Sequence, residues 1–296
     1  MRVPSASADP SQEHFLHAYI TLLSTESYLP GVLALHESLK RTGTPYPFVT
    51  AISAHIAPEI DTVLAAAGII VRRIPETTAI PKDMVENNGH WGHTFDKVHL
   101  FGLPGFDKLV YVDSDMIVLE NMDELFDKPH MSAVAAGRLV ESDSDRLNGG
   151  LMVIEPEDKL ADKIFATLPQ ALAEVAAMGG QAIGDQDLIN AYYPDWRTTP
   201  ALQLDQGYNI FQCYLDQHIE KHGFRLPQHL SQGSEKNGQA IKIVHFIGPR
   251  KPWMKGAVIR QYWRLLKNGR AVKWEHRLFS EYKKLLDDSR PAKHLA

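Results

Sequence analysis

Asp113 and Asp115 stand one serine apart in KLVYVDSDMIVLENMDELF (108–126), a run that otherwise reads as a fully buried β-strand. Residues two apart in a strand share a face, so the two carboxylates project together while Ser114 points away. Carboxylates that close repel each other and resist burial, and keeping both ionised calls for a cation. Oxygen ligands of this kind suit Mg²⁺ or Mn²⁺, which keep open positions for phosphate oxygens. KLVYV delivers the pair to the carboxyl end of a strand, where ligands gather in open α/β sheets. The chemistry this suggests is a divalent metal holding a diphosphate. The plain alternative is a pair of turn or N-cap aspartates between strands.

Other residues carry chemistry of their own. His245 follows the β-rich run IKIV, and a neutral imidazole is a common transition-metal ligand, although a histidine at a strand end is often structural. In GPRKPW, Gly248 lets a backbone approach phosphate and Lys251 supplies a compact positive charge; a solvated surface loop is the alternative. Tyr28 closes the loop Ser24-Thr25-Glu26-Ser27 after the first strand, where its ring can stack on a base or simply pack. Asn148-Gly149-Gly150 reads as a turn, and Gly184-Asp185-Gln186 as a helix start with Asp185 as N-cap. Lys97 in TFDKVHLFGL sits on an expected helix whose exposed face is its simplest setting. The spacing of His90 and His93 in HWGH invites a zinc reading but has no third ligand nearby in sequence, and a loop over 83–94 with a turn at Asn88-Gly89 is the better one.

The elements that must position these residues alternate. HAYITLLS (17–24), FVTAIS (48–53), IIVRRI (69–74) and KLVYV (108–112) read as strands, with helices expected at 31–42 and near 57–67, the latter ended by Gly68. Beyond Asp115, MIVLE, MSAVAAG, LMVIE and IKIVHF look like strands, and 157–177, 184–192 and 273–286 look helical. This is the pattern of a sheet covered by helices, with no internal repeat.

Composition sets bounds. A chain of 296 residues, 44% apolar and 23% charged, can bury a large core. The net charge of −5 argues against a nucleic-acid partner. One cysteine, Cys213, rules out an intramolecular disulfide framework and a cysteine-based zinc site, and points to a reducing compartment. No apolar run approaches the roughly 20 residues of a membrane span, and the start lacks the order of a signal peptide, so a cytoplasmic location is expected.

Five landmarks, in order, resemble glycosyltransferase family 8, the retaining nucleotide-sugar transferases that include glycogenin and galactinol synthase. They are ITLLSTESYLPGVLALHESLKRT, FDKLVYVDSDMIVLENMDELF, LNGGLMVIEP, GDQDLIN and IVHFIGPRKPW, together spanning roughly residues 17 to 255. The resemblance implies an α/β fold: a single GT-A type Rossmann-like domain over 15–296 with a mixed, mainly parallel sheet flanked by helices. A flexible tail (1–14) would precede it, and 256–296 would be a helical C-terminal segment. By resemblance Asp113, Asp115 and His245 hold Mn²⁺, with Mg²⁺ as the alternative. Thr25, Tyr28, Lys97, Ser114, Asn148, Gly149, Gly150, Gly248 and Lys251 would contact the donor, and Lys251 would grip the leaving diphosphate. Asp185 and Gln186 would face the transferred sugar, with Asp185 nearest the anomeric carbon.

Glu26 stands where the family usually has Asn or Asp. The donor implied is UDP-glucose or UDP-galactose. The hydroxyl acceptor stays open among inositol, a saccharide, a lipid-linked sugar and the protein's own tyrosines (Tyr192, Tyr193, Tyr208, Tyr214). The basic, aromatic stretch KPWMKGAVIRQYWRLLKNGRAVKW partly fits a peripheral membrane contact, with a homo-oligomer interface as the alternative. Two competing functions stand beside this one. A metal-dependent phosphate-ester hydrolase would need two metals and more ligands, and a non-catalytic sugar-nucleotide binder would be expected to lack one of the aspartates, His245 or Lys251.

Overall fold

Four strands alternate with helical segments and lie parallel. In the computed structural model, which describes residues 15–81, 89–141, 143, 145–180, 182–231, 237–268 and 273–289, these are β1 (Phe15–Leu23), β2 (Phe48–Ile52), β3 (Ile70–Arg73) and β4 (Phe106–Val112). The tail 1–14 and residues 83–88 of the expected loop over 83–94 lie outside the described residues, while 89–94 belong to a 3₁₀-helical stretch and not to a loop. Two further strands, β6 (Ala133–Val134) and β7 (Asn148–Ile154), run antiparallel at one edge and complete the order β3-β2-β1-β4-β7-β6. The sheet is therefore mixed and mainly parallel, as the resemblance implied.

Both faces of this sheet are buried, which is why its strands read as nearly continuous apolar runs. Ala18, Ile20, Leu109 and Tyr111 pack on one side against Phe95, Val98 and Phe101. Tyr19, Leu23, Val110 and Val112 pack on the other against Val32, Leu35 and Leu39 of helix α1 (Leu29–Arg41). The second helix, α2 (Glu59–Ala66), ends before Gly68, whose φ of +78° suits the residue expected there.

Several expectations change in the folded chain. Asp113, Ser114 and Asp115 are not in a strand: β4 stops at Val112 and β5 begins at Met116. The three residues form a turn in which the Asp113 N–H donates to the Gly150 carbonyl at 2.8 Å and the Met116 N–H to the Asp113 carbonyl at 3.1 Å. The turn carries the chain out of the central sheet. β5 (Met116–Val118) pairs antiparallel with β11 (Ile243–His245), which also pairs with β8 (Ile210–Phe211), so the apolar run continues across two sheets. A third, two-stranded sheet joins β9 (Phe224–Arg225) to β10 (Gln239–Ala240).

The helix expected over 157–177 is two, Leu160–Phe165 and Leu168–Ala177, with Pro169 in the first turn of the second. MSAVAAG supplies only the two residues of β6. Lys97 lies in a 3₁₀-helical stretch, Gly89–Gly102, and is buried rather than on a solvated face.

Helix α1 fixes the Asp113–Asp115 turn from behind. Ser38 Oγ accepts from the Val118 N–H at 3.0 Å, and Gly31 passes directly against Ser114. A Cβ on Gly31 would lie 2.4 Å from the Ser114 carbonyl oxygen and 2.8 Å from the Trp253 ring. Alanine ordinarily stabilises a helix relative to glycine by roughly 0.5–1 kcal/mol. Here the sign should reverse, with Gly31→Ala losing about 1–3 kcal/mol in urea unfolding through overpacking. Unchanged or increased stability would refute this contact.

Candidate active site

Asp113, Asp115 and His245 each offer a ligand atom, and the three atoms lie within 4.8 Å of one another. Asp115 and His245 are buried and Asp113 is partly exposed, so the cluster opens on one side. His245 Nε2 stands 3.2 Å from Asp115 Oδ1 and 3.8 Å from Asp113 Oδ2. The cross-strand register makes this meeting, because His245 is paired with Met116, the residue that follows the turn. The aspartates thus converge as the sequence suggested, although the turn and not strand alternation brings them together.

The orientation of His245 follows from backbone donors. The Gly150 N–H donates to Asn148 Oδ1 at 3.0 Å, and the Gly149 N–H to Gln186 Oε1 at 3.0 Å. These N–H groups can only donate, so both amides are fixed. Asn209 Nδ2 then donates to Asn148 Oδ1 at 2.8 Å, and Asn209 Oδ1 receives His245 Nδ1 at 3.2 Å. Nδ1 therefore carries the proton and Nε2 faces the carboxylates, the arrangement of a metal-binding imidazole held from outside. Asn209 has no local signal in the sequence: it lies 36 residues from His245 and works only through the pairing of β8 with β11.

A second focus is Lys97. Its ammonium group lies 2.7 Å from Asp185 Oδ2 and 3.1 Å from Asp113 Oδ1, and donates to the Gly149 carbonyl at 3.2 Å. Burial alone would lower its pKa, but the two aspartates outweigh that and raise it. Tyr111, whose hydroxyl donates to Asp113, places its ring 4.9 Å from the same ammonium. Lys251 plays the corresponding part at Asp115, 2.6 Å from Oδ2, and also donates to the Phe246 carbonyl at 2.8 Å. Burial would raise the Asp115 pKa, yet His245 and Lys251 hold it well below the usual carboxylate range. Three carboxylates, Asp113, Asp115 and Asp185, thus face two ammonium groups and one imidazole. That excess of negative charge, with an oxygen-and-nitrogen donor set, fits a divalent cation, and a nitrogen ligand favours Mn²⁺ over Mg²⁺.

The remaining expected residues surround this centre. Thr25 is exposed and its carbonyl accepts from the Tyr28 N–H at 2.9 Å. Tyr28 is half-buried, edge-on to Trp253 at 5.3 Å between centroids, with Lys251 Nζ 5.7 Å from its ring. Trp253 Nε1 donates to the Ser27 carbonyl at 2.9 Å, so the first loop is tied to the GPRKPW element. Glu26 is spent on the Ala57 N–H, at 3.2 Å. Ser114 is buried behind the turn, and Gly248 sits at a φ of +86°, where any other residue is strained.

Gly150 is required for a reason sequence reasoning missed. A Cβ there would meet Met116 at 2.6 Å and His245 at 2.9 Å. At Gly149 a Cβ would instead lie 3.3 Å from Asp185 Oδ2. Asp185 is the first residue of its helix, Asp185–Tyr192, and not its N-cap. Gly184 takes that place, while Asp187 Oδ2 accepts the Gly184 N–H at 3.0 Å and Thr94 Oγ1 accepts the Asp185 N–H at 3.3 Å. The Asp185 carboxylate is thereby left to Lys97.

A mainly parallel sheet flanked by helices, with a carboxylate–imidazole cluster where the chain leaves it, is the arrangement of a GT-A type fold. The glycosyl transferase family 8 model matches residues 19–257, and the chain belongs to that family. UDP-glucuronate:xylan alpha-glucuronosyltransferase 2 of Arabidopsis thaliana is 33% identical over 238 residues, 80% of this chain and 35% of that protein. Glycogenin-1 of Mus musculus is 28% identical over 239 residues, 80% of this chain and 65% of its own length. The fold is also similar to that of the galactosyltransferase LgtC solved with donor and acceptor sugar analogs. The TM-score is 0.59 at 14% identity, covering 91% of this chain and 95% of that one. Among these curated relatives, the chain spans from about a third to just under two thirds of their length.

Two substitutions test the site's architecture. Lys97→Met strands Asp113 and Asp185 without their cation and should cost about 3–5 kcal/mol in chemical denaturation. A loss under about 1 kcal/mol would mean the ion pairs carry little. Asn209→Ala should weaken Mn²⁺ binding about 10–100-fold by freeing His245, read by the paramagnetic resonance signal of unbound Mn²⁺. Wild-type affinity would show that His245 is not a ligand or needs no support.

Proposed function

We propose that this chain is a metal-dependent, retaining glycosyltransferase that moves a hexose from UDP-glucose or UDP-galactose to a hydroxyl acceptor. The observation that carries the reading is the convergence of Asp113, Asp115 and His245 with Lys251 bonded to one of the carboxylates. Family membership supports sugar transfer from a nucleotide donor, and retention is what the resemblance implies. Some relatives are named for UDP-glucuronate. A uronate would need a cation of its own, and Lys97 and Arg146 near the sugar side are already paired with Asp113 and Asp185, and with Asp187. A neutral hexose is the better match.

In this reading Asp113, Asp115 and His245 hold Mn²⁺. Held there, the ion would supply positive charge to the diphosphate and to the negative charge that develops on it as it leaves. Lys251 adds a fixed positive charge at the same place. Gln186 Oε1 accepts from Gly149 and Asn148, and Asp185 is paired to Lys97, so both groups nearest the sugar are already engaged. Such groups are poor nucleophiles. We therefore favour front-side attack, with the leaving diphosphate accepting the acceptor's proton, over a double displacement through Asp185. Asn148, Gly149, Asp185 and Gln186 would then orient the ring.

The hydrolase reading needs two ions about 3.5–4 Å apart on shared ligands. The second candidate metal group among the described residues, His55, His93 and Asp96, shares no residue with the first. Peripheral membrane contact or self-association at the C-terminal segment is supported by Ile259, Trp263 and Leu266, exposed at helical spacing on the helix Ala257–Asn268. Among the described residues, no helix is long and apolar enough to cross a membrane. The single cysteine supports a reducing, cytoplasmic setting.

Thermal unfolding with Mn²⁺, UDP and both together tests the assignment. A ligand at 100 times its dissociation constant stabilises by about 2.7 kcal/mol, a shift of several degrees for a chain of this size. Mn²⁺ and UDP together should stabilise beyond the sum of each, and Asp115→Ala should abolish the excess. A panel of UDP-glucose, UDP-galactose and UDP-glucuronate with Mn²⁺ then names the donor. No response to UDP with or without metal would sink the proposal.

A further inference from the structure

Outside the active site the described residues hold one more cluster with the makings of a metal site, and it includes a histidine that the sequence left without partners. His93 lies with His55 and Asp96, their ligand atoms all within 4.8 Å of one another. The three come from separate segments. His55 is in the loop after β2, while His93 and Asp96 are one turn apart on the 3₁₀-helical stretch Gly89–Gly102. Only the tertiary fold makes the set, which is why HWGH alone lacked a third ligand.

Two of these residues are held from outside, as metal ligands are. His55 Nε2 is 2.9 Å from the Ser24 carbonyl oxygen, an acceptor that fixes the proton on that nitrogen. The other nitrogen, Nδ1, is left with its lone pair. Asp96 is only 6% exposed, and its Oδ1 accepts from Thr77 Oγ1, which in turn lies 3.0 Å from His99 Nε2. Among the described residues no Lys, Arg or His forms an ion pair with Asp96, so this buried carboxylate lacks the cation that Asp113, Asp115 and Asp185 each possess. A buried ionised carboxylate without a cation is costly. The rings of His55 and His93 stand 4.3 Å apart, tilted by 35°, and both residues are exposed.

We propose that His55, His93 and Asp96 form a second metal site, separate from the active-site cluster, that binds Zn²⁺ or a similar borderline-soft cation. Two imidazoles and a carboxylate are a zinc donor set, and three protein ligands leave a fourth position for water. The carboxylate gains its missing counter-charge. The ion also joins two segments that matter to the active site. His55 holds Ser24, where the loop to Thr25 and Tyr28 begins, and Asp96 precedes Lys97. An occupied site therefore clamps the donor-side loop to the segment carrying Lys97, and Zn²⁺ should raise the unfolding temperature of the intact protein. This inference does not rest on the proposed sugar transfer.

Calorimetric titration of ZnCl₂ into the tag-free full chain tests it, with His55→Ala, His93→Ala and Asp115→Ala in parallel. The expected result is one tight equivalent in wild type that Asp115→Ala retains and that each histidine variant weakens by at least about 100-fold. Titration curves for His55→Ala and His93→Ala that match wild type overturn the proposal, as does loss of all tight binding in Asp115→Ala with the histidine variants unaffected. Should Asp115→Ala fail to fold, His93→Ala against wild type still decides, because His93 is exposed and its truncation spares the core.

Discussion

Negative charge held in a water-poor place governs this structure. Asp113, Asp115 and Asp185 gather at one point beside the end of β4, and the protein surrounds them with Lys97, Lys251 and His245. Lys97 and Lys251 are themselves buried, so neither ammonium group nor its carboxylates are stable without the other. The elements that carry these six residues must therefore meet, whatever else the chain does. β4, β11, the 3₁₀-helical stretch and the helix starting at Asp185 are fixed against one another by this requirement.

The geometry that meets it is a change of sheet. A strand continuing straight from Val112 through Val118 would put Asp113 and Asp115 on one face but would leave His245 without a route to them. By turning at Asp113–Asp115 and pairing β5 with β11, the chain brings His245 opposite Met116. The glycines follow from the same closeness. Gly150 leaves room for His245 and Met116, and Gly31 leaves room for the turn itself. At Gly150 the missing side chain is what lets the His245 ring come close to the backbone.

A layer of amides converts this packing into chemical definition. Backbone N–H groups of Gly149 and Gly150 orient Gln186 and Asn148, and Asn148 in turn orients Asn209 and the His245 ring. The residues expected to face the sugar and the residues expected to bind metal are thus one hydrogen-bonded system. Rigidity of this kind is what preorganised electrostatic catalysis requires, because no reorganisation is left to the moment of reaction.

The sequence by itself determined the alternation of strands and helices, the two-sided burial of the central strands, the pairing of Asp113 with Asp115, and the candidacy of His245 and Lys251. Those features are written in local periods and in short motifs, which depend on neighbours along the chain. Tertiary structure decided the rest. That Asp113–Asp115 is a turn, that Lys97 is buried between two aspartates, that Asn209 steers His245, and that His93 meets His55 and Asp96 all depend on contacts between segments distant in sequence. No local pattern encodes a partner 36 residues away, as Asn209 is from His245, or the burial that turns a surface lysine into a counter-ion. Those are properties of how the sheets and helices close on one another, and they exist only once the chain has folded.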